Sequence, residues 1–183
     1  KIKFEYDPNK FIEDNKVLNF LDKTLEKIDK KFKNLNYHPT QIFRRDKRLL
    51  NCKRHEKVFK THKVIPEFCF GCYKVQIEPK NFLDLIKLYI LFDNIYLENI
   101  RKCMIDLRPN IPGNYKGFIY CNSIEEAKDI QNKISYYINN NFKKNLPLKI
   151  KRGCSEYGLE YSQYNNLEKN VMTYKSDWKK YEN

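Results

Sequence analysis

Two short motifs in this 183-residue chain carry the residue types that bind metal ions. Cys69-Phe70-Gly71-Cys72 sets two thiols two residues apart with a glycine in the turn, the spacing of a knuckle whose thiolates both come from one tight bend. Cys52 and His55 form a second pair upstream, with thirteen residues between His55 and Cys69. Cys52, His55, Cys69 and Cys72 together make a four-ligand set of the kind that holds structural zinc. They fall in a stretch whose apolar residues come as scattered pairs, and a metal would supply the order that such a stretch lacks. His62 competes with His55, and Cys154 is an alternative ligand. The all-cysteine set Cys52, Cys69, Cys72 and Cys154 would suit zinc or, as a minor alternative, an iron-sulfur cluster. A metal beside His55 or His62 in a basic segment also describes a compact metal-dependent nuclease, with a histidine activating water. No hydrolase, phosphate-loop or nucleotide-binding motif accompanies the three histidines, so nothing beyond that pairing points to an enzyme.

The elements that must position these residues follow from periodicity. Residues 73–78 alternate as a half-buried strand, and Pro79 ends it. Residues 82–92 are a strongly apolar helix, 101–108 a second alternating strand, and 109–114, with Pro112-Gly113, a hairpin loop leading to a third strand over 115–121. Ser123, with Glu126 three residues on, opens a helix with a capping box, and Ala127, Ile130, Ile134, Tyr137 and Ile138 form its buried stripe. Leu148 and Ile150 belong to a fourth strand ending near Gly153-Cys154. Six elements in that order, with right-handed crossovers, predict an α+β fold. It is a ferredoxin-like βαββαβ four-stranded antiparallel sheet of order 4-1-3-2, with an N-terminal helix and a metal-knuckle extension. In this order the end of the fourth strand lies near the start of the first, which brings Cys154 toward Cys72. Cys103 and Cys121 alternate into the core, where Cys behaves as a small hydrophobe.

Both helices cover one face of that sheet and leave the other open. Alternation places Lys74, Gln76, Glu78, Lys102, Met104, Asp106, Arg108, Phe118, Tyr120, Lys149 and Lys151 on the open face. Two aromatics on a central strand among cations are what a single-stranded nucleic-acid binder needs, rings for bases and charges for phosphates. Lys116, Gly117, Phe118 and Tyr120 resemble the third-strand octapeptide of the RNA-recognition-motif family, which begins with a basic residue and Gly and sets aromatics at its third and fifth positions. The resemblance covers about 80 residues, from Cys72 to Cys154. It implies RNA as ligand and Phe118 and Tyr120 as stacking residues. Ile119 stands where that family has Gly or Ala, Ser123 replaces the final aromatic, and Gln76 replaces a first-strand aromatic. The opposite expectation is that the N-terminal helix or C-terminal arm covers Phe118 and Tyr120, making the sheet a core layer.

Charge points the same way as the open face. The net charge is +13 with a pI near 9.3, which favours a polyanionic partner. Of 36 basic residues seven are Arg, and Arg44, Arg45 and Arg48 form one basic run expected to touch nucleic acid. Residues 1–35 read as an N-terminal amphipathic helix, with Val17, Phe20, Leu21, Leu25, Ile28 and Phe32 on one stripe. Residues 36–72 read as the basic Cys/His segment, 72–154 as the sheet domain and 155–183 as a Tyr-rich arm that wraps the domain or a partner. The N-terminal helix is a second candidate surface for a protein partner. An alternative with the same chemistry is a basic subunit of a larger nucleoprotein assembly, holding nucleic acid through lysines without base readout. No stretch reads as a membrane span or secretory signal, and the thiol-rich composition fits a reducing, cytoplasmic setting.

Overall fold

The structure, a computed structural model, describes residues 4–31, 41–44, 50–167 and 171–182. Its strands are β1 (Gln41–Arg44), β2 (Tyr73–Ile77), β3 (Arg101–Ile105), β4 (Tyr115–Cys121) and β5 (Leu148–Arg152). They form one five-stranded antiparallel sheet in the order β1-β3-β4-β2-β5. The expected sheet had four strands. The additional one, β1, adds at the β3 edge and pairs Ile42 with Cys103 and Phe43 with Lys102. Ile42-Phe43 is too short an apolar pair to announce a strand by itself, and β3 is the template that makes it one.

The helices are α1 (Asp14–Lys31), α2 (Cys52–His62), α3 (Glu67–Phe70), α4 (Phe82–Asn94), α5 (Ile124–Asn141) and α6 (Ser155–Glu160). Local chemistry sets the starts of the two long crossover helices. The Asn81 side chain accepts from the Asp84 N–H at α4, and Ser123 Oγ accepts from the Glu126 N–H at α5, while Glu126 accepts from the Asn122 N–H. Both helices pack on the first face of the sheet, where Val75, Ile77, Cys103, Ile119 and Cys121 meet Leu88, Leu91, Phe92, Ala127, Ile134 and Ile138. Arg101 lies on this face too. Its guanidinium donates to the carbonyls of Phe92, Leu97, Asn99 and Ile95, satisfying the chain that leaves α4.

α1 packs outside α4. Val17 is fully buried beside Ile90, with Leu21 at the margin, and Asp14 pairs with Lys87. Leu25, expected on the buried stripe, is exposed because the helix runs past its contact. Ile28 and Phe32 of that stripe lie outside the described side chains. β3 is shorter than expected: it ends at Ile105, where the Asp106 N–H donates to Asn114 O, and Leu107 projects into solvent instead of the core. No helix among the described residues is long and apolar enough to cross a membrane.

The second face is covered as well. Leu50, Cys72, Met104, Phe118 and Tyr120 form one buried cluster there, with Phe43 and Ile100 at its margin. Next to it, the α2–α3 segment and the chain after β5 build a third apolar cluster from Phe59, Val64, Ile65, Cys69, Tyr157, Tyr164 and Trp178. The C-terminal arm therefore wraps the domain. Gly153 has φ +53° and a side chain there would collide with Tyr164, so the turn out of β5 depends on glycine.

Gly117, the glycine of the Lys-Gly-aromatic motif, has a packing role: a Cβ there would collide with Leu88 of α4 and sit 3.4 Å from Phe92. Gly117→Ala is expected to cost about 1–3 kcal/mol by overpacking. Urea denaturation checks this, with a midpoint equal to that of the native sequence counting against it.

Candidate functional site

The second face gathers the basic side chains that the sequence singles out, although it does not expose its aromatics. Phe118 and Tyr120 are 5% and 6% exposed, so the expectation of an open stacking platform is corrected. Alternation assigned their face correctly, but it cannot register the cover supplied by residues distant in sequence. Gln76 and Lys116 are buried there too. Gln76 donates to Glu78 Oε1 at 2.7 Å, while exposed Lys149 pairs with that carboxylate at 2.5 Å.

Three lysines remain over this layer, one from each of three strands. Lys74 on β2 is buried; Lys102 on β3 and Lys151 on β5 are half-buried. Strand register makes Lys74 and Lys151 direct cross-strand partners and sets Lys102 opposite Phe118. Their ammonium groups converge on one ring: Nζ of Lys74, Lys102 and Lys151 lie 5.9, 5.4 and 5.9 Å from the Phe118 centroid. Lys74 Nζ is also 5.0 Å from the Tyr120 ring. Cation–π attraction offsets part of the cost of holding the charges. The remaining contacts are neutral. Lys74 Nζ donates to Gly153 O at 2.9 Å and lies 3.7 Å from Cys154 Sγ; Lys102 Nζ donates to Gln41 Oε1 at 2.9 Å; Lys151 Nζ donates to Ser155 Oγ. Among the described residues no carboxylate forms an ion pair with any of the three.

Like charges set directly opposite across two strands repel. The consequence appears in the titration of the groups around Lys74. Burial opposes the Lys74 ammonium, but Cys154, Tyr120 and Cys72 favour it, and its pKa is raised. Burial and then the Lys74 charge push Lys102 down to about 8 and Lys151 down to about 7.

A separate ion network lies where β3 ends and β4 begins. Asp106, 2% exposed, accepts from Lys116 Nζ at 2.7 Å and from Arg108 at 2.6 and 2.7 Å, and Arg108 also pairs with Glu156. Burial acts to raise the Asp106 pKa, but the bonds from Arg108 and Lys116 outweigh it and hold the carboxyl well below the usual range. Arg108 and Lys116, expected on a nucleic-acid face, are committed to this network. Arg44 is committed too: it pairs with Asp93 at 2.8 Å and lies 4.1 Å over the Tyr89 ring. Arg45 and Arg48 lie outside the described residues.

The expected zinc ligands are not gathered into one coordination sphere. Cys69 points into the arm cluster, with Sγ 3.6 Å from Tyr157 Oη, whereas Cys72 belongs to the second-face cluster. His55 is stacked on Phe68 at 5.2 Å and 28°, and Cys52 is exposed at the start of α2. Among the described residues, no group of three or more His, Cys, Asp or Glu is placed to hold a metal ion. The Cys-x2-Cys spacing falls where α3 ends and β2 begins, with its two thiols in different apolar clusters, and Cys154, the alternative ligand, lies at the margin of the arm cluster with Sγ 3.7 Å from Lys74 Nζ. Burial pushes the Cys69 and Cys72 thiols up, Cys69 beyond the titrating range. His62, the other candidate histidine, lies against Tyr181 at 5.1 Å.

Sequence reasoning missed α2 and its partners. His55 and Phe59 recur at i, i+4, which is a helical signal, but their partners Phe68 and Tyr157 are remote or unpatterned. The chain matches no family model, no curated protein and no solved structure.

Two outcomes test the electrostatics. Asp106→Asn leaves Lys116 buried without its anion and is expected to cost about 3–5 kcal/mol in denaturant unfolding. Since the folded carboxyl titrates below its unfolded value, the Asp106 contribution is complete at neutral pH and fades only as pH falls beneath the carboxylate range. Lys151 behaves oppositely: its folded pKa lies below its unfolded value, so its charge destabilises fully below about pH 7 and less as pH rises toward about 10. Lys151→Gln is therefore expected to raise Tm by about 2–4 °C at pH 6, the equivalent of about 1 kcal/mol for a half-buried group, and to change nothing near pH 10. A lower Tm at pH 6 would contradict it.

Proposed function

We propose that this chain binds nucleic acid, RNA by preference, and that it grips phosphate with lysine instead of stacking bases. The observation that supports this reading is the convergence of the Lys74, Lys102 and Lys151 ammonium groups over Phe118, with no carboxylate partner among the described residues. A fold that holds like charges together without neutralising them gains stability from any anion that enters. The net charge of +13 adds long-range attraction for a polyanion. Among the described residues Arg44, Arg54, Arg101, Arg108 and Arg152 all make contacts within the fold, and the cations gathered over Phe118 are lysines, point charges that follow a backbone without reading bases. We read strands β2 to β5 with α4 and α5 as a ferredoxin-like βαββαβ unit, extended by β1 and covered by the α2–α3 segment and the arm. The burial of Phe118 and Tyr120 favours the version in which the chain is a basic subunit of a nucleoprotein assembly.

Fluorescence anisotropy with labelled single-stranded RNAs, titrated across salt, tests the reading. The expected result is binding at about 50 mM salt that weakens steeply with ionic strength and differs little between oligouridine and mixed sequence. Lys102→Gln with Lys151→Gln is expected to lower the salt slope by about 0.7 for each phosphate that lysine no longer neutralises. A protein that binds no RNA at low salt, or a double variant that binds as the native sequence does, would overturn it.

A further inference from the structure

Resting on the nucleic-acid reading, we propose that the Lys74–Lys102–Lys151 cluster is a receptor for a terminal phosphate monoester of a single strand, in preference to the internal phosphodiester backbone that half-buried Lys102 and Lys151 also meet. Depth is the first argument. Lys74 is 5% exposed and its ammonium is held against the Gly153 carbonyl at 2.9 Å, while Lys102 and Lys151 are half-buried. An internal phosphate carries a sugar on each of two ester oxygens, and a strand passing over the surface cannot lower it onto a buried ammonium. A terminal phosphate has one ester bond, so it enters end-on.

Charge and valence agree. A phosphate monoester carries about −1.5 to −2 at neutral pH and offers three strong acceptor oxygens, against one charge and two free oxygens for a diester. Three ammonium groups from three strands match the former. Gln41 and Ser155 hold Lys102 and Lys151 from the side without neutralising them.

The α2 N-terminus supplies a further contribution. This helix of 11 residues starts without a side-chain cap and without an acidic residue in its first turn. Leu50, two residues before its first residue Cys52, is buried in the same cluster as Phe118 and Tyr120. Unsatisfied N–H groups at such a start favour an anion, and here they stand beside an existing cluster of cations. Among the described residues no carboxylate forms an ion pair with the three lysines: Asp106 is paired with Arg108 and Lys116, and Glu156 with Arg108.

Three RNAs of one sequence, carrying a 5′-phosphate, a 3′-phosphate or hydroxyls at both ends, test this by anisotropy against the full chain. One phosphorylated end is expected to bind at least about tenfold more tightly than the dihydroxyl strand, the effect of one or two added charge-assisted hydrogen bonds. The preference should vanish in Lys102→Gln and in Lys151→Gln and persist in Lys128→Gln, an exposed position on α5 across the sheet. Equal affinity for all three strands would overturn the terminal-phosphate assignment while leaving nucleic-acid binding intact. Binding of none would overturn the nucleic-acid reading. In that case thermal shift with uridine 5′-monophosphate decides the phosphate site by itself: a raised Tm that is lost in Lys151→Gln keeps it, and an unchanged Tm removes it.

Discussion

At the end of β5 the chain turns left-handed through Gly153, and three layers of the protein meet there. Arg152 donates to the carbonyl of Tyr164 at 3.0 and 3.1 Å and to that of Met172 at 3.2 Å, with its guanidinium 4.5 Å over the Tyr164 ring. Tyr164 in turn donates to Cys69 O at 2.6 Å, which ties the arm to the turn before β2. Lys74 reaches the Gly153 carbonyl from the neighbouring strand. This junction is where the arm is fixed to β5 and to the turn before β2, and it supplies the acceptor that fixes the Lys74 ammonium. The covered second face and the lysine cluster are thus two results of one arrangement.

That arrangement explains how a buried cation becomes tolerable in a sheet. Lys74 has a backbone carbonyl, a thiol and two aromatic faces around it, a polarisable shell that carries no formal negative charge. The shell stabilises one ammonium. It does not stabilise three, and the lowered values at Lys102 and Lys151 express that shortfall. The Asp106 network a few residues away shows the contrast, since there a buried lysine has a carboxylate at 2.7 Å. The chain neutralises other buried lysines, Lys116 with Asp106 and Lys87 with Asp14, and does not do so for Lys74 among the described residues.

The central strands and the two crossover helices were legible in the sequence because their signals are local. Alternation, Pro79, the Pro112-Gly113 turn and the Ser123–Glu126 cap each act within a few residues. The cover was not legible for the opposite reason. α2 buries only His55 and Phe59, and its stability comes from Phe68, Tyr157 and the aromatic cluster around Trp178, none of which shares a period with it. The stretch expected to hold a metal packs against the far end of the chain. The same separation turned the face of Phe118 and Tyr120 from an expected platform into a core layer. Strand alternation placed Lys74, Lys102 and Lys151 on the face they share with Phe118, because face assignment depends on period alone, whereas exposure depends on what else folds over the face.

The choice of lysine over arginine follows from where the arginines went. A planar guanidinium suits sites that need several carbonyls or a carboxylate fork at once, and Arg101, Arg108 and Arg152 each fill such a site inside the fold. The region above Phe118 is met by point charges on flexible stems, which can close on a compact tetrahedral anion from three directions. An arginine fork there would demand a fixed approach plane, whereas an ammonium on a flexible stem does not. Under the phosphate-site proposal, the repulsion among the three lysines is the condition for meeting one anion together.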